Sequence, residues 1–289
     1  MIDNFFNISD LTKKEILEIL QSEINDDSAL KNKNIGLLFE KNSTRTRISF
    51  SVGISNLGGE KIDIRFEELN ISRDESFEDT FRAMNCYLDG LIYRTKDHNR
   101  LIDSSYYFKK PIINALSDLS HPCQILSDLL TIQEQFGSLD CHILWMGDMN
   151  NVCFSLVEAA NLINELKLTI CSPSSIIKDK NWTFGSNVKV CHNLEEVDLS
   201  SVKCVMTDVF ISMNDKEGDE KIKLLQPYAV SKELMSKSHT NSVFMHCLPA
   251  KVGYEVSEEV FKSSKSIVWK QAYNRLIAQK KLLQFMYRY

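Results

Sequence analysis

Proline and glycine are scarce, five and ten residues in a chain of 289, and neither recurs at a fixed period. That excludes collagen-like, proline-rich and low-complexity architectures. No uninterrupted apolar stretch approaches membrane-spanning length. The start, Met1-Ile2-Asp3-Asn4-Phe5, has no basic region followed by an apolar run and no Arg-rich amphipathic leader, so a cytoplasmic location is expected. An excess of one charge is missing too: 39 acidic side chains against 34 basic ones leave a net charge of −5, without long single-sign runs. Broad attraction to nucleic acid or to a membrane surface is therefore not expected, and any anion site must be local. Nucleotide-binding strings of the G-x-G-x-x-G or G-x-x-x-x-G-K-[ST] type do not occur. Eight cysteines are present but none form a C-x-x-C pair, and Cys141, Cys171 and Cys204 sit in apolar runs. They read as reduced core thiols, with neither zinc nor a disulfide framework expected.

What is present is an ordinary globular composition, 43% hydrophobic and 25% charged, in a chain longer than one hydrophobic core usually serves. Two domains of similar size are expected. Short apolar runs rich in β-branched residues alternate with helix-period segments, the pattern of βαβ units around a parallel sheet. A first series places strands at 35–39, 61–64, 90–93 and 111–115, with helices near 45–57 and 77–88. A second places strands at 142–146, 168–171, 188–191, 203–206 and 243–246. The fold class is therefore α/β, two domains each with a parallel sheet flanked by helices. Ile125, Leu126, Leu129, Leu130 and Ile132 form a helical stripe over 121–136 that should join the domains, giving boundaries of 1–130 and 131–268. Residues 269–289 form another amphipathic helix, and the polar run 214–223 reads as a long loop of the lid or binding kind.

Five polar clusters each follow a predicted strand. Ser43-Thr44-Arg45-Thr46-Arg47 opens a helix, bringing hydroxyls, backbone N–H groups and guanidiniums to one spot, as a phosphate requires; alone it equally fits a helix cap beside two solvated arginines. His121 and Gln124 of His121-Pro122-Cys123-Gln124 lie three apart at a helix start and can face one small ligand, though a capping segment has the same composition. Gly147-Asp148-Met149-Asn150-Asn151 and Thr207-Asp208 lie at the carboxyl edge of the second sheet, where such sheets bind ligands, and an Asp there can hold an ammonium or merely cap a turn. His246-Cys247-Leu248-Pro249 adds a thiol at that edge, which by default is an inert core residue. Their joint placement is harder to explain as coincidence than any one of them.

Taken together, STRTR, HPCQ, GDMNN, TDVFISM and HCLPA, in this order and spacing, resemble the ornithine carbamoyltransferase family, with further likeness at 74–80, 89–94, 111–132 and 255–283. The resemblance implies a first domain that holds carbamoyl phosphate, with helix 269–289 packed back on it, and a second that holds ornithine. It also implies a homotrimer with interfacial active sites, and chemistry without metal or cofactor. Ser43, Thr44, Arg45, Thr46, Arg94 and Arg275 would grip carbamoyl phosphate, His121 would polarise its carbonyl, and Gln124 with the carbonyls of Cys247 and Leu248 would accept its N–H groups. The Leu248–Pro249 peptide would be cis. Asn151, Asp208, Ser212 and Met213 would hold ornithine, with Cys247 near the reacting amine.

Some positions depart from the family pattern: Asn214 stands for the Gly of the usual SMG loop, Thr95 for a Gly, Ser51 for a Glu, Phe210 for a Trp, and Asn70 for a longer Gln. None of the first four belongs to the phosphate set, whereas Asn70 falls where the family's Gln often reaches the neighbouring subunit's carbamoyl phosphate with a longer side chain. The competing readings are a carbamoyltransferase for another acceptor, such as putrescine, an acylated ornithine or aspartate, and a catalytically silent relative. Arginine synthesis and arginine degradation would use this one site in opposite directions.

Overall fold

The computed structural model describes residues 3–24, 28–211 and 218–288. Its chain divides into two units, Met1–Leu130 with Tyr273–Tyr289, and Thr131–Ala272. The first unit holds strands β1 (Asn4–Phe5), β2 (Asn34–Phe39), β3 (Glu60–Arg65), β4 (Gly90–Arg94) and β5 (Ile112–Leu116), all parallel, in the order β1-β5-β4-β2-β3. Every side chain of β4 is buried and only Asn34 of β2 is exposed, the uninterrupted apolar run expected of a parallel strand covered on both faces. Edge strand β3 is mostly exposed and blunted by charge, Arg47 and Lys61 both meeting Asp63.

Helices α1 (Lys13–Gln21), α2 (Arg45–Asn56), α3 (Phe77–Tyr87), α4 (His98–Tyr107) and the start of α5 (Pro122–Phe136) belong to this unit. A reciprocal box starts α1, Thr12 accepting the Glu15 N–H and Glu15 accepting that of Thr12, and the helix then buries Ile16, Ile19 and Leu20. Ser76 caps α3, whose Phe81 packs between Phe77 and Tyr93 in the core. Truncating Phe81 to Ala should cost about 3–5 kcal/mol, since the cavity left behind adds to the lost transfer energy.

The second unit holds β6 (His142–Met146), β7 (Lys167–Cys171), β8 (Val188–Cys191), β9 (Cys204–Thr207) and β10 (Val243–His246), again all parallel, in the order β10-β9-β6-β7-β8. Its helices are α6 (Asn151–Leu162), α7 (Ser174–Lys178), α8 (Gly218–Leu225), α9 (Lys232–Lys237), α10 (Glu258–Phe261) and the beginning of α11 (Val268–Met286). Leu144, Met146, Val205, Phe244 and Val256 form the centre of its core. The rest of α11 belongs to the first unit, where Tyr287 donates to the Asp89 carbonyl and lies so close to Gly90 that a Cβ there would overlap its hydroxyl. Among the described residues no helix is long and apolar enough to cross a membrane.

Three elements go beyond the sequence reading. Strand β1 and helix α1 precede the first expected strand, and α4 forms from residues of weak helix propensity because Asp97 caps its first turn and His98, Leu101 and Ser104 are buried. The run expected to be loop over 214–223 is helical from Gly218, with Asp219 and Glu220 in the first turn and Lys223 in the last, charges that suit the helix dipole. Its remainder, 214–217, lies outside the described residues, as do Ser212 and Met213.

Candidate active site

In the first sheet the chain goes from β2 to β3 on one side and then to β4 on the other, so the segments after β2 and β4 start side by side. This is a topological switch point, where open α/β sheets bind ligands. Phe39 and Arg94 are register partners there. The segment after β2 carries Ser43, Thr44 and Arg45; the end of β4 carries Arg94. Arg94 donates to Ser43 Oγ at 3.1 Å and forms no ion pair with an acidic side chain among the described residues. Burial pushes its guanidinium down to about 10, with Arg275 and then Arg45 adding like-charge repulsion. A buried cation crowded by two others favours a bound anion.

Thr44 occupies the cap position of α2, but its side chain accepts no capping bond, so the first-turn N–H groups are not taken up by that hydroxyl. Arg47 turns away, to Asp63 at 3.0 Å. Buried Thr46 accepts from Arg275, which also donates to Gln124 Oε1 at 2.8 Å. Gln124 in turn donates to Asp128 Oδ1 at 2.8 Å, which fixes which end of its amide is oxygen. Buried His121, just before α5, is held well below the usual histidine range by burial, then by Arg275, Arg94 and Arg45. Seven sequence-predicted residues, Ser43, Arg45, Thr46, Arg94, His121, Gln124 and Arg275, are thus brought together. Thr44 is exposed at the helix start.

The second sheet has its own switch point, between β6 and β9, where Met146 and Thr207 are register partners and Thr207 Oγ1 donates to the Met146 carbonyl at 2.7 Å. After β6, Gly147 adopts φ +102°, and a Cβ there would meet Phe210 at 2.8 Å, so both the turn and the packing require glycine. Asn150 caps α6 and also donates to Asp208 Oδ2 at 2.7 Å. Cys247, after β10, donates its S–H to Asp208 Oδ1 at 2.9 Å. Asp208 and Cys247 are therefore joined directly, while Asn151 is the half-buried first residue of α6.

The Leu248–Pro249 peptide is cis, as the resemblance implied, and Leu248 has φ +60°, uncommon for a branched side chain. Its N–H donates to His246 Nδ1 at 2.9 Å, while His246 Nε2 lies 3.4 Å from buried Glu255. Asp208, His246 and Cys247 offer donor atoms within 4.8 Å of one another. Nδ1 of His246 already accepts the Leu248 N–H, however, so a metal bound through that nitrogen would have to displace it. Sequence reasoning missed Asn150, Asp128 and Glu255; a buried polar side chain within an apolar stripe was the available signal for Asp128.

Residues 3–134 match the family model described as the carbamoyl-phosphate-binding domain of aspartate/ornithine carbamoyltransferases, and residues 139–286 match the model of the Asp/Orn-binding domain. A curated ornithine carbamoyltransferase of Methanosphaera stadtmanae is 38% identical, with 99% of each chain covered. One from a Nostoc species is 40% identical over 97% of this chain and 95% of its own. Among solved structures, the ornithine carbamoyltransferase of Thermus thermophilus superposes with a TM-score of 0.87 at 31% identity, covering 99% of both chains. With both of its units matched in this way, the chain is a carbamoyltransferase and belongs to the aspartate/ornithine carbamoyltransferase family.

Proposed function

We propose that the chain transfers the carbamoyl group of carbamoyl phosphate to the δ-amine of ornithine, giving citrulline and phosphate in arginine metabolism. The observation that carries this reading is the pairing of a three-guanidinium site in one unit with an Asp208–Cys247 site in the other. The first suits a phosphate and the second a cationic amine. An aspartate acceptor would instead need cationic groups for its second carboxylate, which an Asp and a Cys do not supply. Relatives along the whole length are named for ornithine, which supports the same acceptor.

Arg45, Arg94 and Arg275 with Ser43, Thr44 and Thr46 neutralise the phosphate, while Arg45, Thr46 and His121 donate to the carbonyl oxygen. His121 acts as a neutral donor, because its surroundings disfavour the imidazolium. Gln124 Oε1 and the carbonyls of Cys247 and Leu248 accept the carbamoyl N–H groups. Asn151 and Asp208 hold ornithine, together with Ser212 and Met213. The neutral δ-amine attacks the carbonyl carbon, the oxyanion is stabilised by donors already in place, and the C–O bond to phosphate breaks as phosphate takes the amine's proton. Alignment of the two substrates supplies up to about 7–11 kcal/mol.

The deciding experiment measures initial rates with carbamoyl phosphate and ornithine, acetylated ornithine, putrescine or aspartate, following phosphate and ureido product. Ornithine should be used most efficiently; preference for putrescine would overturn the acceptor. We further propose a cytoplasmic homotrimer. Exposed Ile48 and Val52 on α2 and Ile62 on β3 supply apolar surface for assembly, and a sedimentation mass other than three chains would exclude it.

A further inference from the structure

We propose that Asn150 is the positioning residue for Asp208, fixing the direction in which that carboxylate meets the acceptor's ammonium; this rests on the reading of Asp208 as the amine-holding group. The inference comes from the two jobs that one side chain performs. Asn150 Oδ1 accepts the N–H groups of Val152 at 3.0 Å and Cys153 at 3.1 Å, capping α6. Its oxygen is thereby committed, and only the amide nitrogen is left to face Asp208, to which it donates at 2.7 Å. A flipped amide would set oxygen against carboxylate and N–H against N–H, so chemistry alone fixes the orientation.

The reference frame is rigid. The first turns of α6 bury Val152, Cys153 and Leu156, and a cap bonded to two backbone groups has little freedom. Asp208 is then held at both oxygens, Oδ2 by Asn150 and Oδ1 by the Cys247 thiol. Both jobs together dictate the residue type. Serine caps a helix as well as asparagine but has no second arm to donate, and aspartate would cap while setting carboxylate against carboxylate.

This separation makes the test. Asn150→Ser keeps the cap and removes the donor, whereas Asn150→Ala removes both; each is compared with wild type for kcat, both KM values and Tm. Asn150→Ser should raise the KM for ornithine at least about tenfold, the scale of a hydrogen bond to a charged group. Its Tm and its KM for carbamoyl phosphate should stay near wild type. Asn150→Ala should show the same KM rise together with a lower Tm. A wild-type ornithine KM in Asn150→Ser would overturn the proposal and leave Asn150 a helix cap only. If wild type prefers another amine, the ornithine assignment fails instead, and the same comparison on that amine's KM still decides the role of Asn150.

Discussion

Arg275 and Gln124 lie 151 residues apart in sequence and are joined by a 2.8 Å hydrogen bond from guanidinium to amide oxygen. A second arm of Arg275 reaches Thr46, so a single planar side chain ties α11 to the starts of both α2 and α5. Lysine offers one compact charge on a flexible stem and cannot span both partners. Arg275→Lys should therefore raise the KM for carbamoyl phosphate at least about tenfold, the scale of one lost charge-assisted bond, while the KM for ornithine changes little. Steady-state kinetics with each substrate varied in turn would show it, and equal losses for both substrates would count against the placement of Arg275.

Arg94 is buried beside two further guanidiniums, which makes it costly to the free protein. Arg94→Met should leave Tm unchanged or raise it, because an apolar chain of similar length relieves both burial and repulsion. Activity should nevertheless be lost. Saturating phosphate should also raise Tm in the wild type and much less in the variant, since a ligand that binds only the folded state stabilises it in proportion to its affinity. A lower Tm in Arg94→Met without loss of activity would mean a structural role.

His121 predicts a pH dependence. Its folded pKa lies well below the unfolded value of 6.5, so above pH 6.5 both states are neutral and the contribution to stability is fully present. As pH falls below that value the unfolded chain takes a proton that the folded one resists, and stability drops by up to about 1.4 kcal/mol per pH unit for one such group. His98 and His142 are depressed by burial in the same direction. Urea denaturation of His121→Gln between pH 7 and 5 should give a shallower decline than wild type, and parallel curves would contradict the assignment.

Asp208→Asn keeps the shape of the side chain and removes its charge. The KM for ornithine should rise at least about tenfold and that for carbamoyl phosphate should hold, because only the amine-holding group is weakened. Cys247→Ala removes the S–H that Asp208 accepts and should change the pH dependence of ornithine use. Loss of carbamoyl phosphate affinity in Asp208→Asn would put this residue in the wrong half of the reaction.

The parts that were legible in sequence are those where one physical demand governs a segment. The uncharged run 90–93 of β4 could be little else than a buried parallel strand, and the place of Arg94 at its end follows from that. The residues proposed to hold phosphate stood out because so many donors follow one strand. Asn150 was not legible, because two adjacent asparagines look alike until the backbone shows which caps α6 and which begins it. Asp128 hid in a helical stripe, one turn after the Gln124 it orients. Helix α4 was obscured by Asn, Ser and Tyr, whose weak propensity is overridden by burial. Strand β1, two residues long, is set only by its pairing with β5.

Because α11 supplies Arg275 to a unit otherwise built from the first 130 residues, the order of synthesis bears on when the phosphate site comes into being. A ribosome releases Arg45, Arg94 and His121 long before Arg275, and domains generally fold as they emerge. The nascent first unit therefore carries two of its three guanidiniums while the whole second sheet is still being made. On the proposed reading, a chain that stalls or terminates before α11 lacks the third guanidinium of the phosphate grip, and should therefore be inert toward carbamoyl phosphate.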